Sequence, residues 1–393
     1  MSKNAIADTL DLFSKCMFDT MSLFVKADRR KYNWEYFFNS VGLVDKDKKV
    51  PIYHDLIKEE YYNNYIFRVS PAFTVNDFNK KIDNIAYFMN TKIENIRLEQ
   101  KSNKVHLRVR NNNPMNFDYD VEKHKRKDFK IPLGYDFNNK LVLWDIASNS
   151  NCHCYVAGSS GGGKSITLRL ILSHLVNSKS KRDIEFSIIN TKRVDLKDFE
   201  HCKHTVNYMS GIEGVEDFLE VETDEMERRY KLLEKYDCDD LAEFRKKEYK
   251  IPYRLIIVEE ISSYKGNKEY QRAIELIASQ GRGAGMLLLL VTQLPSYEIM
   301  SNTIKCNINT TIGLKTKDSI RSEIIAGEDA DLHKLKGNGH SKLFDGDHQG
   351  TEYQGLYIDK DTMKAIIKAN SKQNKRAIEA GTSITPGDNN IPG

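Results

Sequence analysis

The sequence predicts an α/β fold: a parallel sheet preceded by a small α+β module and followed by a disordered tail. Three observations carry that expectation. From about residue 131 to 360, short apolar strands alternate with helical segments, the pattern of βαβ units. Met286 to Val291 are six apolar residues in a row, the mark of a strand buried on both faces. The stretch "CYVAGSSGGGKSITLRLIL" passes from an apolar strand through a glycine-rich turn into a helix.

Residues 1–60 are aromatic-rich, with weak helical patterning and no chemistry of their own. Residues 61–130 form the small α+β module. In it "YYNNYIFRVS" reads as a strand and "TVNDFNKKIDNIAYFM" as one helix, with Val75, Phe78, Ile82, Ile85 and Met89 on one stripe. Thr74 and Asp77 have the spacing of a capping box at its start. "VHLRVR" alternates Val105, Leu107 and Val109 with His106, Arg108 and Arg110, a strand with one apolar and one basic face. The segment Lys101 to Lys130 holds nine Lys/Arg against four Asp/Glu. Such a face is either simply solvated or turned toward phosphates. Residues 131–360 form the α/β core. Residues 361–393 are expected as a helix and then a disordered tail, "GTSITPGDNNIPG".

Composition excludes several classes. The chain has 393 residues, 40% of them hydrophobic, which suits two or three soluble domains. Its apolar runs fall far short of the roughly 20 residues of a membrane helix, and the N-terminus does not read as a signal peptide. Six cysteines in this length make no disulfide framework, so a cytoplasmic location is expected. A net charge of +4 permits a nucleic-acid partner without requiring one.

The chemistry begins at the glycine-rich turn. Gly158, Ser159, Ser160, Gly161, Gly162, Gly163, Lys164 and Ser165 fit the P-loop spacing, with Ile166 following in the helix. Glycines there let backbone N–H groups cradle phosphates at a helix N-terminus. Lys164 would reach the β- and γ-phosphates of ATP, and Ser165 would hold Mg²⁺. A second apolar strand, "YRLIIVEE", ends in Glu259 and Glu260. One acid there can help hold the metal and the other can activate water, which makes Glu259 the metal candidate and Glu260 the base. Thr292 and Gln293 fall at the end of the strand that begins at Met286, where a polar side chain can sense the γ-phosphate. Arg282 lies in a glycine-rich turn at that strand's other end, poorly placed for its own subunit's phosphates but able to reach a neighbour's. A plain surface arginine is the alternative. "CHC" at residues 152–154 resembles a metal fragment, yet it sits on the strand feeding the P-loop with no second Cys/His pair at suitable spacing. The N-terminal tyrosines could stack on bases, but more often such residues are core.

Several separate stretches resemble the motor of the FtsK/SpoIIIE family, within the HerA-like and conjugative coupling ATPases. They are "IPLGYDFNNKLVLWDIA", "YVAGSSGGGKS", "NTKRVDL", "DEMERRY", "IPYRLIIVEE", "GRGAGMLLLLVTQLPS" and "EYQGLYI". The module before them also resembles the smaller domain that precedes that motor. The resemblance implies a RecA-like P-loop ATPase core in a homohexameric ring that hydrolyses ATP and moves double-stranded DNA. By position it assigns Lys164 and Ser165 to the P-loop, Glu260 to the catalytic acid, Gln293 to the sensor and Arg282 to the arginine acting in trans. Arg228, Arg229 and Arg321 are weaker candidates for intersubunit roles, more often structural salt-bridge partners. "NTKRVDL" carries Asn190-Thr191 where the family has Asp-Pro, while keeping Lys192 and Arg193.

No N-terminal span of the kind that anchors some members is evident. The 35 residues after Ile358 are too few for the sequence-reading winged-helix module of chromosome translocases. Largely sequence-independent phosphate contacts to DNA are therefore expected, in the service of transfer or segregation of a plasmid or conjugative element. A relaxase or a membrane-anchored transfer protein would be the further partner. The competing expectations are the same motor acting on a protein substrate, as in secretion ATPases, and a nucleotide-binding scaffold with little turnover.

Overall fold

The computed structural model describes residues 32–111, 116–148, 150–247, 251–293, 295, 296, 298–346 and 348–371. The tail expected beyond residue 371 lies outside them. The chain forms two compact units, dividing between residues 115 and 116.

The first unit is an antiparallel sheet of β1 (Ile52–Lys58), β2 (Tyr62–Arg68), β3 (Ile96–Lys101) and β4 (Lys104–Arg110), in the order β1-β2-β4-β3. Its helices are α1 (Trp34–Ser40), α2 (Val75–Asn79) and α3 (Ile82–Phe88). One face of β2 and β4, with Tyr65, Phe67, Val105, Leu107 and Val109, packs on Trp34, Phe37, Phe38, Phe78 and Ile85. The apolar–basic alternation of β4 is thus realised as buried and half-buried residues in strict turn. One detail differs from expectation and one agrees with it. The segment read as one helix breaks into α2 and α3, because Lys81 leaves helical geometry at ψ 15° and restarts the chain. Thr74 and Asp77 do form the capping box.

The second unit holds β5 (Lys130–Asp136), β6 (Leu141–Asp145), β7 (Cys154–Ala157), β8 (Ile184–Asn190), β9 (Thr205–Ser210), β10 (Tyr253–Val258), β11 (Met286–Thr292), β12 (Thr310–Leu314), β13 (His340–Phe344) and β14 (Gln349–Gly355). They make one sheet in the order β6-β5-β14-β13-β12-β7-β11-β10-β8-β9. From β12 to β9 every pairing is parallel. From β12 outward to β6 every pairing is antiparallel, so the expected parallel sheet is mixed. Antiparallel strands need only tight connections, and β13 and β14 join through a short turn. The helices are α4 (Lys164–Ser178), α5 (Val215–Lys235), α6 (Leu241–Lys246), α7 (Lys268–Gln280), α8 (Asn302–Asn307), α9 (Ser319–Ala326) and α10 (Lys360–Ala369). All seven residues of β11 are buried, as the apolar run requires.

The boundary between units differs from the expected one near residue 130. Residues 117–129 are held by the larger unit: Tyr119 and Phe117 exchange backbone hydrogen bonds with Tyr357. The Tyr119 hydroxyl also lies 3.1 Å from His174 Nδ1 on α4. Residues 32–58 belong to the small unit because Trp34, Phe37 and Phe38 complete its core. Its strand β1 falls where only weak helical patterning is visible.

Candidate nucleotide site

In the parallel half of the sheet the strand order β12-β7-β11-β10-β8 puts the P-loop strand between two others, at a point where strand order reverses. The carboxyl ends of these strands deliver the P-loop, Asn190-Thr191, Glu259-Glu260 and Thr292-Gln293 to one edge. A cavity of about 550 Å³ opens there, lined by Ser160, Gly161, Lys164, Ser165, Ile166 and Gln293 on one side. Its far side is formed by Phe117, Asn338, Gln354, Leu356 and Tyr357.

The loop's glycines are required by space and backbone. Gly163 has φ +116°, and a Cβ on it would lie 2.8 Å from the Gly339 nitrogen. The Gly339 N–H donates to the Gly162 carbonyl (3.0 Å), and the Ser159 N–H donates to the Lys315 carbonyl (2.8 Å). The loop is therefore braced by the turn before β13 and by the end of β12.

Lys164 donates to the carbonyls of Gly158 (2.6 Å) and Ser159 (2.8 Å), folding back along its own loop. Burial and the neighbouring Lys192 push its ammonium down to about 8, against the opposing pull of Glu260 and Asp195. An anionic phosphate beside it would favour the charged ammonium and raise that value again.

Ser165 Oγ donates to Asp195 Oδ2 at 2.7 Å, and Asp195 also pairs with Arg169 (3.0 Å). Glu259 is buried, accepts the Lys192 N–H at 3.3 Å and lies against Asp195. Burial first, and then Asp195, push its carboxyl up to about 7. A hydroxyl and two crowded carboxylates form a hard, all-oxygen donor set that fits Mg²⁺ alongside phosphate oxygens.

Glu260 is differently placed. Its backbone is left-handed, φ +56°, which strains a non-glycine residue and turns the side chain into the cluster. Oε1 accepts from Ser262 Oγ, Thr292 Oγ1 (2.8 Å) and the Gln293 N–H (3.1 Å). Oε2 accepts from Lys192 Nζ at 2.9 Å. Burial alone would raise this acid, but the donors from Ser262, Lys192, Gln293 and Thr292 outweigh it and hold the carboxyl below its ordinary value. Thr191 Oγ1 reaches the Glu259 carbonyl and lies 3.1 Å from the Tyr264 hydroxyl, so it ties β8 to β10.

Lys164, Ser165, Glu259, Glu260 and Gln293 thus converge. Arg282 does not join them. It is exposed in the turn between α7 and β11, and β11 alone is about 23 Å long. Arg229 is 1% exposed and donates to Glu225 and to the Ala284 carbonyl, which makes it a structural residue. Arg228 pairs with Glu225, and Arg321 pairs with Asp318. The sequence reading missed Asp195 and the cavity wall of Phe117, Gln354, Leu356 and Tyr357. "RVDL" after a strand offered a signal for Asp195.

Comparisons with known proteins bear on the family and the fold. Residues 117–261 match the FtsK/SpoIIIE family. The DNA translocase FtsK of Borreliella burgdorferi is 30% identical over 229 residues, 55% of this chain and 29% of that protein. The chain spans about a third of the length of the curated relatives it matches. Among solved structures, the pCW3 conjugation coupling protein TcpA, in monomer form with ATPgS, is similar at TM-score 0.59 and 20% identity, covering 86% of this chain and 98% of that one. The cytoplasmic domain of the Thermomonospora curvata type VII secretion ATPase EccC follows at TM-score 0.57 and 18% identity, covering 66% and 33%. Residues 117–261 are thus similar to the FtsK/SpoIIIE family, and the fold is shared with the coupling-protein and secretion-ATPase structures.

Proposed function

We propose that this chain hydrolyses ATP and uses the cycle to move double-stranded DNA, as one subunit of a ring. The observation that carries the reading is the convergence of Lys164 and Ser165 with the Glu260 carboxylate at the ends of β7 and β10. In this reading the P-loop N–H groups and Lys164 hold the phosphates, and Phe117, Leu356 and Tyr357 form the wall for the base. Ser165, with Asp195 and Glu259 close by, would hold Mg²⁺, which when bound neutralises charge on the phosphate oxygens.

Glu260 orients and deprotonates the attacking water. Oε1 is saturated by three donors, so Oε2, which carries Lys192, is the oxygen with room for it. Gln293, held by its N–H to Glu260, couples that carboxylate to the end of β11. Arg282, exposed at the opposite end of β11, acts on a neighbouring subunit's nucleotide.

DNA is favoured over a protein substrate by the curated relatives, which are DNA translocases at 25–30% identity. The similarity to the coupling protein and to the secretion ATPase is a matter of fold and does not separate the two substrates. The test is ATP-dependent displacement of a third strand from a DNA triplex by the full chain. Displacement that Lys164→Ala abolishes supports the reading. ATP turnover without displacement, on any length of duplex, overturns it.

A further inference from the structure

Lys192, in the loop after β8, sits where the attacking water belongs. Its ammonium donates to Glu260 Oε2 at 2.9 Å. Glu260 Oε1 is meanwhile taken by Ser262, Thr292 and the Gln293 N–H. The oxygen that would receive the water's proton is therefore the one that carries the cation. This arrangement suits a base at rest rather than one at work.

The backbone that carries Lys192 is fixed, whereas its side chain is not. Thr191 Oγ1 donates to the Glu259 carbonyl, and the Lys192 N–H donates to Glu259 Oε2 at 3.3 Å. The Asn190 carbonyl accepts both the Arg193 and the Gly211 N–H at 3.1 Å. The Lys192 side chain is 35% exposed and ends a flexible four-carbon stem, so its tip can change partners while its Cα stays in place. Strand order puts β10, which ends at Glu260, between the P-loop strand β7 and β8. Lys164 arrives from one side and Lys192 from the other, close enough for the two ammonium groups to repel. Lys164 rests on carbonyls of its own loop and Lys192 on the Glu260 carboxylate. Two ammonium groups facing one gap favour an anion with more charge and more oxygens than one carboxylate, and a terminal phosphate has both.

We propose that Lys192 distinguishes ATP from ADP: it holds Glu260 while the γ-phosphate position is empty and moves to the γ-phosphate when ATP binds, leaving Oε2 to the attacking water. The inference rests on the nucleotide-site reading above and gives that site its response to the third phosphate. ADP meets Lys164 through its β-phosphate but leaves Lys192 on the carboxylate. ATP recruits both lysines, so the base is released only when there is a bond to hydrolyse. Thr191 serves the same device, because its hydroxyl ties the root of the Lys192 arm to the strand that carries the base.

The experiment is calorimetric titration of the full chain, with Mg²⁺, by ADP and by the non-hydrolysable β,γ-imido analogue of ATP. Lys192→Met is expected to lose about tenfold or more in affinity for the analogue while ADP changes by less than about twofold. Lys192→Arg keeps the charge and should retain the wild-type preference within about threefold. Glu260→Gln removes the competitor for Lys192, so the analogue should bind about threefold more tightly with ADP unchanged, and in a Lys192→Met background the same change should bring no gain. A lysine that only supports the fold would weaken both nucleotides alike when lost. That result, or an unchanged ratio of the two affinities, overturns the proposal. If Lys192→Met does not fold, Glu260→Gln decides alone, and no gain for the analogue overturns it. A wild-type chain that binds neither nucleotide overturns the nucleotide-site reading and this inference with it. ATP turnover without DNA displacement would instead sink the motor reading and leave the role of Lys192 intact.

Discussion

Glu260, the proposed base, combines a strained backbone, a buried carboxylate and donors from three directions. Glu260→Gln keeps the shape but cannot take a proton. Turnover should fall about a hundredfold or more, while ATP binding stays within a few-fold, measured by single-turnover hydrolysis beside equilibrium binding. Asp195→Asn should raise the Mg²⁺ concentration for half-maximal nucleotide binding about tenfold, the usual effect of a group supporting a metal ligand. An unchanged Mg²⁺ titration would return Asp195 to a purely structural partnership with Arg169.

His174 tests the packing of the P-loop helix, to which it belongs. Burial first, then the Arg126 and His124 charges, push it down to about 4. It is thus neutral when folded and protonated when unfolded between pH 6.5 and 4, and its contribution is lost as pH falls through that window. His174→Gln should flatten the fall in Tm between pH 7 and 5.

At this scale the sequence exposed the P-loop residues and both acids, because spacing within one strand–loop–helix carries them. It could not expose the partnership of Ser165 with Asp195 or of Lys192 with Glu260. Those depend on the loop after β8 turning back over the P-loop and β10, which no local spacing encodes.

At the scale of elements, the turn bearing Arg282 is built as a rigid mount. The Tyr230 hydroxyl donates to the Gln280 carbonyl at 2.5 Å, Arg229 to Ala284, the Leu241 N–H to Gly283 and the Arg254 N–H to Gly285. Gly285, at φ +67°, has no room for a Cβ beside Leu241. Carbonyls on both sides of Arg282 are therefore held by α5, α6 and β10, and the guanidinium stands on a fixed base. Arg229→Ala breaks a buried pair and should cost about 3 kcal/mol or more, read as a shift in the urea midpoint. Arg228→Ala, on the exposed side of the same helix, should cost under about 1 kcal/mol. "DEMERRY" shows two adjacent arginines. Only the helical face they occupy, and the depth of the sheet behind it, separates a buried strut from a surface pair. The basic face of β4 was legible from alternation alone, whereas the rows it forms with Arg68, Arg97 and Lys101 required the register.

For the whole molecule, the proposed mechanism uses the two ends of β11. Gln293 lines the cavity beside the P-loop, and Arg282 is exposed before the other end of the strand. Both lie beyond residues 117–261, the span matched to the family, so their proposed roles do not follow from that match. If the arginine acts in trans, a mixture of Arg282→Ala and Glu260→Gln subunits should recover part of the activity that each variant lacks. A mixture that stays dead contradicts the shared site.

The central claim is a motor that is driven by ATP and engages DNA. Steady-state ATP hydrolysis by the full chain, with and without long duplex DNA, at about 0.05 M and 0.2 M salt, tests it most directly. The account predicts strong stimulation by duplex at the lower salt that fades at the higher, because phosphate contacts release counterions. Turnover indifferent to DNA at both salts, or tight ATP binding with no turnover at all, would contradict it.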